Sequence, residues 1–244
     1  MAYEERKYRQ AMEGRGLVSF QVVEKETDLW ICAGRNLWKE AAAAVREVRR
    51  ILEHYIQRHG HFLSAMEPIS VHRAAPHLIR SMAGAGRTAG VGPMAAVAGA
   101  VAEYVGRALL ETSRDVIVEN GGDLFVSSRE DRTVSVYAGN SPFSNRLGLR
   151  IRGADTPLGV CTSSGTVGHS TSFGKSDAVC VLAPDTALAD AAATAAGNRI
   201  RGAGDIQKGL DFLGSLPGVT GGLIIVKEKM GAWGAVELVK IEKS

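Results

Sequence analysis

The chain has 244 residues, with 29 Lys and Arg against 26 Asp and Glu, so its net charge of +3 is small and spread along the length. With 45% apolar and 23% charged residues it is a globular chain able to bury a real core, and without a basic stripe or interleaved aromatics it excludes nucleic acid as a partner. No apolar run reaches membrane-spanning length, residues 1–16 are too charged for a signal-peptide core, and three irregularly spaced cysteines exclude a disulfide framework or zinc knuckle. A reduced, cytoplasmic protein with no membrane attachment is expected.

Residues 17–23 and 28–33 alternate or run apolar around Glu24-Lys25-Glu26-Thr27, which predicts an opening hairpin. From 37 to about 57 the period becomes helical, with Ala41, Ala44, Val45, Val48, Ile51, Leu52 and Tyr55 on one face. Residues 61–82 read as loop and a short helix, broken by Pro68 and Pro76. The run 84–92, GAGRTAGVG, reads as a glycine-rich loop leading to Pro93, the first residue of a helix to about 111. Strands are expected at 116–119, 124–127, 133–138, 147–151, 158–161 and 178–182. An alanine-dominated helix over 186–196 stops at Gly197-Asn198, a short helix follows near 205–213, and a hairpin of 223–227 with 235–241 ends the chain. Consecutive strands interrupted by a few long helices predict an α+β fold with largely antiparallel sheet. No repeat or linker divides the chain, so one domain over 1–244 is expected, with the oligomeric state open.

The alanine helix carries Asp190 and Thr194 four residues apart, one above the other on a helix face. A carboxylate among methyl groups is costly to bury without a compensating cation or donors. Asp and Thr oxygens suit a hard ion such as Mg²⁺, which keeps waters and takes substrate phosphates as further ligands. The plainer alternative is a solvent-facing Asp, with Thr194 bonded back to the carbonyl of residue 190. The 29 glycines cluster at 84–92, 121–122, 165–174 and 197–204, where backbones approach a neighbour or a ligand closely.

The 84–92 segment with Arg87 is a candidate phosphate cradle at a helix start; the alternative is a turn that lets the following helix lie close on the sheet. Asn120-Gly121-Gly122-Asp123 is a hairpin turn whose glycines would also let a ligand approach the backbone while Asp123 reaches it. His169 lies among Gly165, Gly168, Ser170, Thr171, Ser172 and Gly174, too polar a setting for a core histidine, and is a candidate general base. Cys161 is either a thiolate nucleophile or a small apolar strand residue. His54, His59 and His61 invite a metal reading but sit at a helix end that favours histidine in any case.

Taken in order, these motifs resemble the ApbE superfamily, whose best-known members are metal-dependent flavin transferases attaching FMN, taken from FAD, to a threonine of a target protein. Gly60-His61-Phe62 with Pro68 is similar to that family's early G-x-F…P segment, and Asn120-Gly121-Gly122-Asp123 to its N-x-G-G-D. Ser163-Ser164-Gly165 resembles its T-S-G turn, and Ala189-Asp190-Ala191…Thr194 its A-D-A-x-x-T metal-binding helix. The departures are a missing lysine, where Pro93-Met94-Ala95 stands, and a shortened segment 168–174 in place of H-I-I-D-P-x-T-G. The chain is most similar to a soluble branch of the superfamily, linked to sulfur incorporation into homocysteine. The resemblance implies an ApbE-like fold and a small phosphorylated ligand, FAD or FMN, held with Mg²⁺ by Asp190 and Thr194. Asn120, Gly121, Gly122, Asp123, Ser163, Ser164, Gly165 and Arg87 would line the ligand site, His169 would be the base, and an acceptor protein would receive the flavin. The alternatives are a sulfur-assimilation step using Cys161, or a binding module that kept the fold and lost the chemistry.

Overall fold

The computed structural model describes residues 16–166 and 174–241. The frame is a sheet of eight strands in which every neighbouring pair is antiparallel. In spatial order these are β1 (Val18–Glu24), β2 (Thr27–Ala33), β3 (Val116–Asn120), β4 (Asp123–Ser127), β7 (Leu158–Ser163), β8 (Ala178–Ala183), β9 (Gly221–Val226) and β10 (Lys229–Gly234). A second sheet of three strands joins β5 (Arg132–Ser135), β6 (Leu147–Ile151) and β11 (Glu237–Lys240). The fold is therefore α+β and antiparallel, as the succession of strands predicts.

The sheet is buried on both faces, and the period of two decides which residues meet which layer. On one face Leu29, Ile31, Val116, Val118, Phe125, Cys161, Val179 and Val181 meet the helices. On the other face Cys32, Ile117, Leu124, Val126, Val160, Cys180 and Leu182 meet Val136, Leu149 and Ile151 from the region of the smaller sheet. The helical layer holds α1 (Trp38–Arg58), the single turn α2 (His61–Ser64), α3 (His77–Ala89), α4 (Val97–Leu110), α5 (Thr186–Gly197) and α6 (Ile206–Ser215). Among the described residues no helix is long and apolar enough to cross a membrane.

Two features differ from the sequence reading. Residues 84–89 are the last turns of α3 and not a loop, because Leu78, Ile79, Met82, Ala83, Ala85, Gly86 and Ala89 form one buried face. The helix ends only at Gly90, at φ +76°, where the N–H groups of Gly90 and Val91 both close onto the Gly86 carbonyl. The glycine at 86 serves packing, since a Cβ there would lie 2.7 Å from the Val91 carbonyl oxygen. The final strands also pair differently: β9 pairs with β10, while β11 crosses to the smaller sheet and pairs with β6.

Candidate functional site

The site is built where β3, β4, β7, α4 and α5 meet. Between β3 and β4 the chain reverses through Gly121 and Gly122, both at positive φ (+68° and +107°), the two-residue hairpin geometry that glycine adopts without strain. The register places Asn120 opposite Asp123, on the helix-facing side with Val118 and Phe125. The Gly122 N–H donates to Glu119 Oε1 at 2.9 Å, which pins the turn.

Helix α4 begins at Val97 with Ala96 as its N-cap, so it has no capping side chain of its own. Residues distant in sequence bond its first turn. Asn120 Nδ2 donates to the Ala98 carbonyl at 3.1 Å, and the Gly99 N–H donates to Asp190 Oδ2 at 2.9 Å. A carboxylate in the middle of α5 thus caps the positive end of α4. The approach depends on Gly99: a Cβ there would lie 2.4 Å from the Thr186 carbonyl oxygen and 2.9 Å from Asp190 Cβ.

Asp123 and Asp190 are each only 8% exposed and act electrostatically on one another. Burial pushes the Asp190 carboxyl up to about 7, against the opposing pull of the Gly99 and Ala98 N–H groups. Asp123 rises well above the usual carboxylate range, first through burial and then through the Asp190 charge, with the Cys161 thiol and the Thr162 N–H pulling the other way. Two carboxyls in one buried site do not both ionise without compensation, so the pair retains a proton or takes up a cation. Cys161, fully buried in β7, has its thiol pushed well above its ordinary value by burial and by both carboxylates. That is the reverse of what a thiolate nucleophile or sulfur carrier requires.

Among the described residues no three His, Cys, Asp or Glu side chains group as a metal cage. A cation here would have two carboxylates plus hydroxyl, carbonyl, water or phosphate oxygens, a donor set that fits Mg²⁺. Thr194 is half-buried one turn beyond Asp190. Ser163 is 9% exposed and lies against the end of α5, where a Cβ on Gly197 would be 3.4 Å from its Oγ. Gly165 N–H donates to the Ser176 carbonyl, and Gly165, Gly174 and Gly197 stack so closely that no Cβ fits at 165 or 174. Ser164 is half-buried and its Oγ accepts from Thr166 N–H at 3.1 Å. The 163–165 turn is therefore fastened to the helix that carries Asp190 and Thr194.

Arg87 stands exposed in the last turn of α3, so the expected phosphate-cradling loop does not exist at 84–89. His169 lies outside the described residues. Sequence reasoning missed Ala98 and Gly99, because it began the helix at Pro93, whereas Pro93–Ala96 is a 3₁₀ turn and α4 starts four residues later. A glycine within an otherwise alanine- and valine-rich helix was the available signal.

A family model described as AbpE bacteria matches residues 9–209. The chain is 40% identical over 230 residues to a UPF0280 protein of Methanocaldococcus jannaschii, covering 91% of this chain and 93% of that one. It is 43% identical over 211 residues to a UPF0280 protein of Methanocella arvoryzae, covering 86% of each. Among solved structures it is similar to the flavinyl transferase ApbE of Pseudomonas stutzeri in its apo form, with TM-score 0.58, 12% identity, and 89% and 94% of the two chains covered. The flavin transferase ApbE of Vibrio cholerae gives TM-score 0.51 at 12% identity, with 90% and 97% covered. At that identity the likeness shows the shared fold.

Proposed function

The chain belongs to the AbpE bacteria family, and on that premise we propose that it binds a phosphorylated flavin, FAD or FMN, together with a divalent cation at the Asp123–Asp190 pair. The observation that carries this reading is the pair of buried carboxyls set against a helix start with no cap of its own. Mg²⁺, when bound, would neutralise charge on a pyrophosphate. Asp190 and Thr194 would hold it from α5, and Asp123 would face them from the glycine turn.

The residues of the chain divide the remaining work. The Gly99 N–H holds Asp190 Oδ2 at 2.9 Å, and the Ala98 N–H also acts on this carboxylate. The Asn120–Asp123 turn and the Ser163–Gly165 turn would line the phosphate and ribityl part of the ligand, since Gly121 and Gly122 let a ligand approach the backbone and Ser163 and Ser164 carry hydroxyls. In a flavin transfer, the acceptor threonine oxygen forms a bond to the FMN phosphorus as the pyrophosphate bond breaks and AMP leaves. His169 is the proposed base for the hydroxyl proton. With 84–89 helical, no role is proposed for Arg87. The shortened 168–174 segment lacks the residues that shape the family's transfer site, so binding is expected to outlast efficient transfer to an acceptor protein. The cytoplasm is the proposed location.

The test is titration of the purified protein with FAD, with Mg²⁺ or with EDTA, following flavin fluorescence, and mass spectrometry for AMP release. Mg²⁺-dependent quenching that disappears in Asp190→Asn is expected. No quenching at millimolar FAD, with a melting temperature indifferent to Mg²⁺, would sink the reading.

A further inference from the structure

A cleft of about 420 Å³ lies between the C-terminal half of α1 and the segment that leads into α3. It shares no residue with the Asp123–Asp190 site. Arg50, His54, Tyr55, Arg58, His59 and His72 line it, and Ala74, Ala75 and Pro76 close its far wall. No Asp or Glu is among its lining residues. Arg50 is held by Glu47 at 2.8 Å, whereas Arg58 has no ion pair among the described residues.

The backbone adds to the positive side chains. Pro76, on the wall, is the N-cap of α3, a helix of 13 residues with no capping side chain and no acid in its first turn. Its free N–H groups leave the positive pole of the helix beside the cleft. His72 Nδ1 accepts from the Ala74 N–H at 3.1 Å, so its proton sits on Nε2 and the ring presents a donor. His59 Nδ1 donates to the Tyr55 carbonyl at 3.1 Å, and its ring stacks on Tyr55 with centroids 4.2 Å apart. The cleft therefore combines a guanidinium, imidazoles and a helix start with an aromatic platform, and no acidic side chain lines it to offset them.

We propose that this cleft binds a small phosphorylated ligand of nucleotide size, its phosphates between Arg58, His54, His72 and the start of α3, its ring against the Tyr55–His59 stack. The volume matches a ligand of that size and is within the range of small-molecule pockets. Phosphate oxygens suit the planar donor fork of Arg58, and a helix start is a ready anion site. His54 and His72 thereby serve as phosphate donors, and His59 as part of the ring platform.

The experiment is calorimetric titration with inorganic pyrophosphate and with ADP, in EDTA so that the metal-dependent site is silent, for the wild type, Arg58→Ala, the double variant His54→Ala/His72→Ala, and Asp190→Asn. ADP should bind more tightly than pyrophosphate, and Arg58→Ala should weaken both about tenfold or more, the expectation for a lost charge-assisted contact. The histidine pair should weaken both several-fold, with melting temperatures kept near wild type by these exposed positions. Asp190→Asn should leave both affinities unchanged, which separates this proposal from the flavin site. Loss of binding in Asp190→Asn with retention in Arg58→Ala would overturn it, as would the absence of binding at millimolar ADP. A polyglutamate peptide that binds as tightly as ADP and competes with it would also overturn it, assigning the cleft to an acidic protein segment.

Discussion

Replacing Asp190 with Asn tests whether the site is an uncompensated pair of carboxyls awaiting a cation. Burial raises the Asp190 carboxyl from 3.8 to about 7. A rise of about three units corresponds to about 4 kcal/mol of penalty on the charged form, at 1.36 kcal/mol per unit. The folded state holds this proton between pH 4 and 7 while the unfolded chain releases it, so stability is full below pH 4 and is lost as pH rises through 7. Asn carries no charge and can still accept from the Gly99 N–H. In EDTA the variant should therefore match the wild type near pH 4 and exceed it at pH 8 by up to about 4 kcal/mol, or about 8–16 °C in melting temperature for a chain of this size. Saturating Mg²⁺ should raise the melting temperature of the wild type at pH 8 and leave the variant unmoved. Thermal unfolding by circular dichroism across pH 4–8 reads all of this. A variant less stable than the wild type at pH 8 in EDTA would refute the reasoning, because the native carboxylate would then be a compensated, structural anion.

Gly99→Ala is expected to destabilise by about 1–3 kcal/mol or more, because the new Cβ would lie 2.4 Å from the Thr186 carbonyl oxygen between two packed helices; an unchanged melting temperature would show that the helices separate freely. Asp123→Asn should weaken Mg²⁺ binding but leave the Asp190 titration near pH 7 in place, because burial and not the Asp123 charge raises it, as read by the pH profile of stability. Cys161 should resist iodoacetamide at pH 8 in the folded protein and react on unfolding, since burial and two carboxylates hold its thiol protonated. Rapid alkylation of the native protein would restore a reactive-thiol reading.

Local pattern determined much of this protein. The short apolar runs at β3, β4, β7 and β8 and the helical face of α1 were legible because a strand buried on both faces is apolar throughout and a helix packed on one face carries a periodic stripe. Asp190 and Thr194 stood out on an alanine helix for the same reason, as did the glycine turn at 121–122. Tertiary structure decided the rest. Residues 84–89 form a helix although two glycines weaken it, because one face packs against the core and that burial outweighs weak local propensity. β11 leaves its neighbour for the smaller sheet through contacts with β6 that lie far back in the chain. The site itself is the clearest case. Spacing within α5 fixes Asp190 and Thr194 relative to each other, but the partners of Asp190 are Gly99, 91 residues earlier, and Asp123 on another strand. No local pattern encodes that the free end of α4 should meet a carboxylate from α5, because the match arises only when both helices lie on one sheet and a glycine lets them touch.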